Sequence, residues 1–415
     1  MTKRIIAICA LLICSMYAIG QTASIDKFFK FAQRQDSQFV KAYESKDVTL
    51  YDKLLTEFLD KYNKLDPDDR KRAKMFLNGA YYNFACTYSL LNNRAKALEY
   101  LEKSVDEGYY DYNHVQEDND LDNIRKEDKF AQITTRMRDI GDYVYILKKA
   151  KNYNNADARE TPVFTYQPGS NPNLAALRQG MRLDSVAGTG NEISKMLNLL
   201  HYIHNMIPHD GNHDNPETKN AMAMIEVCKK SDRGLNCRGL ATVLNECYLA
   251  MGFKSRFVTC LPKDSLGIDP DCHVINMVYS DSLKKWLWID PTNDAYVMDE
   301  NGVMLSIEEV RWRLVNDKPL VVNSDANWNH KKKVVKEDYL YSYMAKNLYM
   351  LQCNVSSEYN AETREKGKTF SSITLIPLDY FKQSPDKTLN SSKDKTTISV
   401  TYKTNNPVKF WAAPY

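Results

Sequence analysis

Residues 233–252 read RGLNCRGLATVLNECYLAMG, in which a cysteine precedes a helical pattern of apolar side chains. These side chains recur at helical spacing from Cys237 to Met251, and Gly252 is well placed to end the helix. Cys237 therefore lies in the first turn of the predicted helix, where free N–H groups and the positive end of the helix dipole favour a thiolate. The same N–H groups could help to receive an oxyanion. Taken alone, the residue could also be an ordinary buried cysteine.

Two strand-like segments follow at residues 273–279 and 286–290, and a polar turn joins them. A hairpin symmetric about the turn at residues 280–283 would set the following pairs opposite each other: Tyr279 and Lys284, Met277 and Trp286, Ile275 and Trp288, and His273 and Asp290. Directly opposed residues share a face of the sheet, with Cβ atoms about 5 Å apart. We therefore expect a hydrogen bond between the His273 imidazole and the Asp290 carboxylate.

A cysteine, a histidine and a carboxylate together are what a thiol acyl-transfer enzyme needs. The thiolate attacks the acyl group, the histidine transfers the proton, and the carboxylate fixes the tautomer of the histidine. The hairpin pairs His273 with Asp290, but the sequence pattern alone does not bring Cys237 within hydrogen-bonding range of His273. That meeting has to be inferred from similarity to known domains.

Four segments of the chain carry such a similarity, in this order: GLNCRGLA at residues 234–241, MGFKSRFV at 251–258, HVINMV at 273–278 and WLWIDPT at 286–292. Together they resemble the transglutaminase-like domain, a branch of the papain-like fold. The resemblance implies that Cys237 is the catalytic nucleophile, His273 its base and Asp290 the residue that orients the histidine. Ile275 and Met277 replace the tryptophan and the acidic residue that are common after this histidine, so the resemblance leaves the substrate open.

The chain from about residue 24 to residue 153 has a helical pattern rich in aromatic residues. Asp66 is placed to cap a helix whose first turn holds Pro67. Residues 78–111 resemble one tetratricopeptide repeat, a pair of helices in which residues of suitable size fill the packing positions: Tyr81, Phe84, Ala85, Tyr88, Ala97, Leu101 and Ser104. This helical hairpin could bind a peptide partner, or it could simply pack on its neighbour.

These patterns predict an α+β chain in which an all-α helical-repeat region precedes a papain-like, transglutaminase-like catalytic domain with an antiparallel sheet. The predicted boundaries are a signal peptide at 1–20, an α-helical tetratricopeptide-like domain at 21–153, a linker at 154–172, a transglutaminase-like catalytic domain at 173–345 and a β-rich C-terminal extension at 346–415. The strand-like runs at 372–381 and 396–403 could widen the catalytic sheet or form a small β domain.

Four of the seven histidines lie at the end of a predicted helix and in the loop after it, at positions 201, 204, 209 and 213. His201 and His204 flank the apolar stripe of that helix, which favours histidines of the core or of an interface over metal ligands. The loop at 210–215 has no glycine at the sixth position of a standard calcium loop, and Ala221 stands at the position of its bidentate glutamate. We predict no metal and no other cofactor.

The first twenty residues have the pattern of an export signal. Lys3 and Arg4 precede an apolar run, and residues 18–20 supply the small side chains that signal peptidase needs. The run is shorter than the roughly 20 residues that span a bilayer, and the bulky Ile13 before Cys14 argues against lipid attachment. We therefore expect an exported protein, periplasmic or extracellular, with no membrane span after signal removal.

Composition excludes one class of partner and leaves the cysteine chemistry open. The formal net charge is only +3 over 415 residues, which gives no electrostatic basis for a nucleic-acid partner.

Seven cysteines lie beyond the leader, an odd number that suits a free catalytic thiol. Cys260 and Cys272 flank a loop and could form a disulfide, or both could be small buried residues. The cysteines and histidines do not have the spacing typical of structural zinc sites.

Two functions fit the sequence. The first is an exported enzyme, a transglutaminase, protease or amidase, that forms a thioester on Cys237 from a peptide or carboxamide substrate in the cell envelope or outside the cell. The second is a non-catalytic envelope protein that binds a peptide or protein through the helical repeat and a transglutaminase-like scaffold. The presence of a cysteine, a histidine and an aspartate at the three expected positions favours the enzyme.

Overall fold

The computed structural model describes residues 23–150, 152–263, 271–378, 387–391 and 397–414. The chain divides into two compact units, Met1–Tyr145 and Ile146–Tyr415. The first unit is helical in its described part and the second combines helices with a sheet, so the predicted α+β class is confirmed. The predicted signal peptide at 1–20 lies outside the described residues. Within them, no helix has both the length and the apolar character that crossing a membrane requires.

The first unit is a succession of helices. Their bounds are Ala23–Glu44 (α1), Val48–Asn63 (α2), Pro67–Leu90 (α3), Arg94–Asp106 (α4), Tyr112–Glu117 (α5), a 3₁₀ turn at Asn119–Leu121, Asp128–Gly141 (α6) and, at the boundary between the units, Tyr143–Lys149 (α7). The Asp66 side chain accepts hydrogen bonds from the N–H groups of Asp68 and Asp69, so α3 begins where the sequence predicts. Tyr51 of α2 stacks on Phe84 of α3 with ring centroids 4.5 Å apart, inside an aromatic core.

Helices α3 and α4 form the hairpin in the segment that resembles a tetratricopeptide repeat. Ala85, Ala97 and Leu101 are fully buried in one apolar cluster. The Ser104 hydroxyl donates a 2.8 Å hydrogen bond to the backbone oxygen of Asn78, which ties the second helix to the first. The predicted N-terminal helical region is therefore present, while its binding of a peptide stays a prediction.

The second unit contains the remaining helices. Their bounds are Pro172–Gly180 (α8), Leu183–Ala187 (α9), Glu192–Met206 (α10), Ala221–Ser231 (α11), Cys237–Ala250 (α12), Ile307–Val315 (α13), Ala345–Asn347 (α14), which directly follows a π-helix at Glu337–Met344, and Pro407–Phe410 (α15). Helix α12 is buried from Gly239 onward, and its Tyr248 hydroxyl donates a 2.9 Å hydrogen bond to the backbone oxygen of Met196. Gly252, two residues after α12, has a φ of 86°, the left-handed conformation that its predicted role in ending the helix requires.

Most strands of the second unit form one sheet. The strands are Thr165–Tyr166 (β1), Ser255–Leu261 (β2), His273–Ser280 (β3), Lys285–Ile289 (β4), Val297–Met298 (β5), Val321–Val322 (β6), Asn327–Trp328 (β7), Lys332–Lys333 (β8), Met350–Asn354 (β9), Ser356–Ser357 (β10), Thr369–Leu375 (β11), Lys387–Ser391 (β12) and Ile398–Thr404 (β13). In the described residues the order of the main sheet is β12-β13-β11-β9-β2-β3-β4. Its neighbours are antiparallel except for β11 and β13. Strands β9, β11, β12 and β13, which follow residue 345, therefore widen the sheet that contains β2 to β4.

The β3–β4 hairpin differs from the predicted register by two residues. Met277 pairs with Trp288 rather than with Trp286, so the predicted pairing was wrong. The turn begins one residue later than predicted because Lys284 takes a left-handed φ of 53° and the Glu192 carboxylate accepts hydrogen bonds from two N–H groups of the turn. Since side chains alternate between the two faces, a shift of two residues leaves each one on its predicted face.

Residues 154–172, predicted as a linker, form hydrogen bonds within the second unit. Strand β1 lies in this segment and pairs in parallel with β10. The Asp157 carboxylate accepts hydrogen bonds from the Thr404 hydroxyl at 3.0 Å and from the Asn405 N–H at 2.7 Å. The segment therefore packs on the same unit as the sheet.

Arg256 of β2 joins distant segments of the second unit. The side chain is buried, and its guanidinium carbon lies 3.7 Å from the centroid of the Phe164 ring and 4.9 Å from that of Trp286. Its Nη2 donates a 2.6 Å hydrogen bond to the backbone oxygen of Phe410. Aromatic faces and carbonyl oxygens stabilise a guanidinium that has left water. Phe164 and Phe410, which lie near the two ends of this unit in sequence, thus both contact strand β2 through Arg256.

Candidate active site

Cys237 occupies the first position of α12. Asn236 precedes the helix, and its side chain accepts a 3.2 Å hydrogen bond from the Gly239 N–H. Asn215 holds Asn236 in turn, because its Nδ2 donates to Asn236 Oδ1 at 2.7 Å and its Oδ1 accepts from the Asn236 N–H at 3.2 Å. This cap fixes the partly exposed thiol at the positive end of the helix dipole.

His273 begins β3, and Asp290 directly follows β4. In the observed register the two residues are diagonal neighbours, so the prediction that they lie directly opposite was wrong. Both still face the same side of the sheet, and His273 Nε2 lies 2.8 Å from Asp290 Oδ2. The expected hydrogen bond forms because long side chains can reach a diagonal neighbour on the same face.

The Asp290 carboxylate is fully buried among donors. Besides the contact with His273, its Oδ2 accepts hydrogen bonds from the Tyr339 hydroxyl at 2.7 Å and from Asn293 Nδ2 at 3.0 Å. Its Oδ1 accepts from the Thr292 N–H at 2.9 Å. Burial would raise the pKa of Asp290, but the charge of His273 and these hydrogen bonds outweigh it and lower the pKa. The carboxylate is therefore held both ionised and oriented.

The π-helix brings two tyrosines to this pair. Tyr339 accepts a 3.2 Å hydrogen bond from Trp288 Nε1 and donates its own to Asp290. The Tyr343 ring lies edge-on to His273, with ring centroids 5.2 Å apart. Turns of π-helix are rare and often occur at functional sites. No pattern in the sequence singled out either tyrosine.

Cys237 ionises more readily than an ordinary cysteine. Burial would raise its pKa, but hydrogen bonds from the His209 and His273 side chains, the charge of His273 and the backbone N–H of Val274 lower the pKa to about 6. Burial would lower the pKa of His273, yet its interactions with Asp290 and Cys237 raise it well above the usual value. The structure therefore brings Cys237, His273 and Asp290 together, and these shifts favour a thiolate beside an imidazolium at neutral pH.

The other cysteines of the described residues lack this activation. Burial raises the pKa of each of them: Cys86, Cys228, Cys247, Cys260, Cys272 and Cys353. All are free thiols, including Cys260 and Cys272, for which the sequence left a disulfide open. A thiol reagent should therefore distinguish Cys237 from the rest at neutral pH, because the thiolate is the reactive form.

Alkylation of Cys237 by iodoacetamide should rise about tenfold per pH unit below its pKa and level off about one unit above it, since the rate follows the thiolate fraction. The midpoint should lie at about pH 6, the pKa of Cys237. Peptide mass spectrometry of samples quenched over a range of pH measures this curve. A midpoint near 9, the ordinary value for a cysteine, would contradict the thiolate and imidazolium pair.

His209 is a further residue of this site, besides Tyr339 and Tyr343, that no sequence pattern assigns to it. It was interpreted only as one of four clustered histidines, yet its side chain hydrogen-bonds to Cys237. A short backbone pairing brings it there, in which the Asp210 N–H donates to the Leu235 oxygen at 2.8 Å and the Leu235 N–H donates to the Pro208 oxygen at 3.1 Å. An isolated bridge of this size leaves no periodic signal in a sequence.

Two histidines of the cluster have structural partners. His204 is buried, with its ring nitrogens 3.0 Å from the Pro291 backbone oxygen and 3.0 Å from Asn327 Oδ1. His213 is exposed, and its Nδ1 lies 2.6 Å from the Asp210 carboxylate. His204 therefore belongs to the core, as the apolar stripe of its helix indicated.

His201, Asp294 and Asp325 form the group of possible metal ligands found among the described residues. One ligand atom of each lies within 4.8 Å of the others, and such a mixed set of nitrogen and carboxylate groups could hold a divalent cation. His201 Nδ1 lies 2.7 Å from Asp294 Oδ1, and this hydrogen bond raises the pKa of His201. The group lies outside the contacts of Cys237.

Comparison with known proteins places this site in a recognised domain. Residues 180–291 match the transglutaminase-like superfamily. No curated protein matches the chain. One similar solved structure is described as a "Putative Cysteine Protease from Cytophaga hutchinsonii". The two sequences are 18% identical, the TM-score is 0.23, and the matched region covers 37% of this chain and 48% of that protein. The chain thus spans about half the length of that protein. From the family match, the chain carries a transglutaminase-like domain at residues 180–291, within which Cys237, His273 and Asp290 all lie.

Proposed function

We propose that the protein is a thiol-dependent acyl-transfer enzyme of the transglutaminase, protease or amidase type. Cys237 takes the acyl group of a peptide bond or carboxamide as a thioester and passes it to an amine or to water. The 2.8 Å hydrogen bond between His273 Nε2 and the buried Asp290 carboxylate supports this proposal most directly. It orients the imidazole and leaves the other ring nitrogen, Nδ1, for Cys237.

The first half-reaction makes the thioester. The Cys237 thiolate attacks the carbonyl carbon, a C–S bond forms, and the negative charge moves to the carbonyl oxygen. When this tetrahedral intermediate collapses, the C–N bond breaks and His273 Nδ1 gives its proton to the leaving amine or ammonia. Asp290 stays ionised throughout and stabilises the imidazolium before the transfer.

The second half-reaction releases the acyl group. An amine or water attacks the thioester carbon, and the neutral His273 takes the proton of the attacking group at Nδ1. The C–S bond then breaks, and the thiolate and imidazolium return to their starting state. Hydrolysis and crosslinking therefore use the same residues and differ in the acceptor alone.

The proposed substrates are proteins or peptides in the cell envelope or outside the cell. The export pattern of residues 1–20 supports this location, periplasmic or extracellular. Helices α3 and α4 offer a second place where a peptide partner could bind, as in the tetratricopeptide repeats that they resemble. The proposed reaction uses no cofactor.

The proposal is tested with p-nitrophenyl acetate, an activated ester with a coloured leaving group. We expect one acetyl group on the protein after the first turnover, and peptide mass spectrometry should place it on Cys237. Methylamine added as an acceptor then distinguishes the two reaction types. N-methylacetamide is the product of acyl transfer, whereas acetate alone is the product of hydrolysis.

Two cysteine variants provide the contrast for this experiment. Cys237→Ala should form no acetyl adduct, because none of the other thiols in the described residues meets an oriented imidazole. Cys272→Ala removes a neighbouring, partly exposed thiol whose pKa is raised by burial, and it should keep the adduct. Failure of the wild-type protein to form any adduct would instead favour a non-catalytic binding protein.

A further inference from the structure

His209 is held firmly in place beside Cys237. Asn329 clamps its backbone, because Asn329 Oδ1 accepts from the His209 N–H at 2.6 Å and Asn329 Nδ2 donates to the His209 oxygen at 2.8 Å. Asn329 follows β7 and has a left-handed φ of 52°, which suits an asparagine. A backbone bridge also joins His209 to Leu235. Because Leu235 lies two positions before Cys237, this bridge holds His209 close to the nucleophile. The His209 backbone is therefore anchored both to the segment just before α12 and to the β7–β8 hairpin.

Trp328 sets the tautomer of His209. The indole Nε1–H can only donate, and it lies 3.2 Å from His209 Nδ1. Nδ1 must therefore accept this hydrogen bond, so the proton of the neutral ring sits on Nε2. The two rings meet edge-on with centroids 6.2 Å apart. Nε2–H is then the group that is left to donate to Cys237.

We infer that His209 is a fourth catalytic residue, whose Nε2–H donates to the Cys237 thiolate at rest and to the oxyanion after the thiolate has attacked a carbonyl. The inference rests on the proposed function. The oxyanion is the former carbonyl oxygen, attached to the carbon that has bonded to the Cys237 sulfur. A donor already directed at that sulfur therefore lies near the oxyanion. Backbone N–H groups in the first turn of α12 supply further donors. Unlike His273, His209 keeps its proton throughout the reaction.

Two reagents separate these two kinds of donation. Iodoacetamide alkylates Cys237 by displacing iodide and forms no oxyanion, whereas p-nitrophenyl acetate reacts through a tetrahedral oxyanion. We expect His209→Leu to raise the midpoint of the alkylation curve above about pH 6. At a pH where alkylation has levelled off, the same change should lower acylation by about 10²–10³-fold relative to alkylation, the usual effect of losing one oxyanion donor.

Three further variants control for other effects. His209→Gln restores an N–H donor and should recover part of the lost acylation. Trp328→Phe keeps the ring but removes the N–H that sets the tautomer, so it should lower acylation less than His209→Leu does. His213→Gln changes an exposed histidine of the same loop and should leave both rates unchanged.

Either of two results with His209→Leu would overturn the inference: an unchanged alkylation curve, or losses of alkylation and acylation that are equal at every pH. Failure of the proposed function looks different, because the wild-type protein would then carry no acetyl group on Cys237. In that event the alkylation curve of His209→Leu still reports whether His209 donates to the thiolate.

Discussion

Replacing Asp290 with asparagine should slow acylation of Cys237 by p-nitrophenyl acetate on the order of 10³–10⁴-fold, because the corresponding change in a serine-protease triad lowers kcat about 10⁴-fold. The Asp290 carboxylate accepts from His273, Tyr339, Asn293 and the Thr292 N–H. Asparagine has a single acceptor oxygen, so its NH₂ group must face at least one of these donors. The change also removes the charge that raises the pKa of His273.

The alkylation curve gives a measurement for Asp290→Asn that does not depend on turnover. A less cationic His273 stabilises the thiolate less, so the midpoint for Cys237 should move up from about pH 6. Asp294→Asn is the matched control, since it changes a buried carboxylate of the same loop that bonds to His201. Near wild-type acylation by Asp290→Asn, with an unchanged melting temperature, would contradict the proposed role of this carboxylate.

Replacing Gly234 with alanine should destabilise the second unit by about 3 kcal/mol, since overpacking costs about 1–3 kcal/mol and each lost hydrogen bond about 1 kcal/mol. An added Cβ would lie 2.0 Å from the Pro208 backbone oxygen and 2.9 Å from Asp210 Cβ. The nearest atom belongs to the backbone and cannot turn aside like the end of a flexible side chain. The pairing that positions His209 must therefore open, and acylation of the thiol should fall as well.

Urea unfolding followed by tryptophan fluorescence measures this loss, because all five tryptophans lie beyond residue 285, in the second unit. Gly180→Ala is the control, since a Cβ at Gly180 would meet only the Met222 side chain at 3.6 Å. Gly180 ends α8, where alanine should be neutral or mildly stabilising. Equal midpoints for the two variants would show that the close approach at Gly234 costs little.

The parts of the site with a periodic signal could be predicted from the sequence. Helix α12 carries such a signal, so its start at Cys237 and its ending near Gly252 agree with the structure. The hydrogen bond between His273 and Asp290 was predicted although the register was wrong by two residues. Alternation of side chains tolerates an even shift, whereas a shift of one residue would have separated the pair onto opposite faces.

The parts of the site that depend on long-range contacts could not be predicted. His209 reaches the thiol through an isolated bridge, and Tyr339 reaches Asp290 from a π-helix 49 positions along the chain. Neither element leaves a regular spacing of apolar residues. The place of β9 beside β2 is equally hidden, because nothing local distinguishes a strand that widens a sheet from one in a separate domain.

The contacts of Arg256 with Phe164 and Phe410 and the position of β9 in the sheet limit how far the chain can be shortened. A fragment cut to the matched residues 180–291 would lose β9, leaving the inner strand β2 as an open edge prone to pairing with other molecules. It would also lose Phe164 and Phe410, so the buried guanidinium of Arg256 would lack the aromatic ring and the backbone oxygen that stabilise it. The shortest fragment expected to fold therefore runs from about Asp157 to at least Phe410, more than twice the length of the recognised domain.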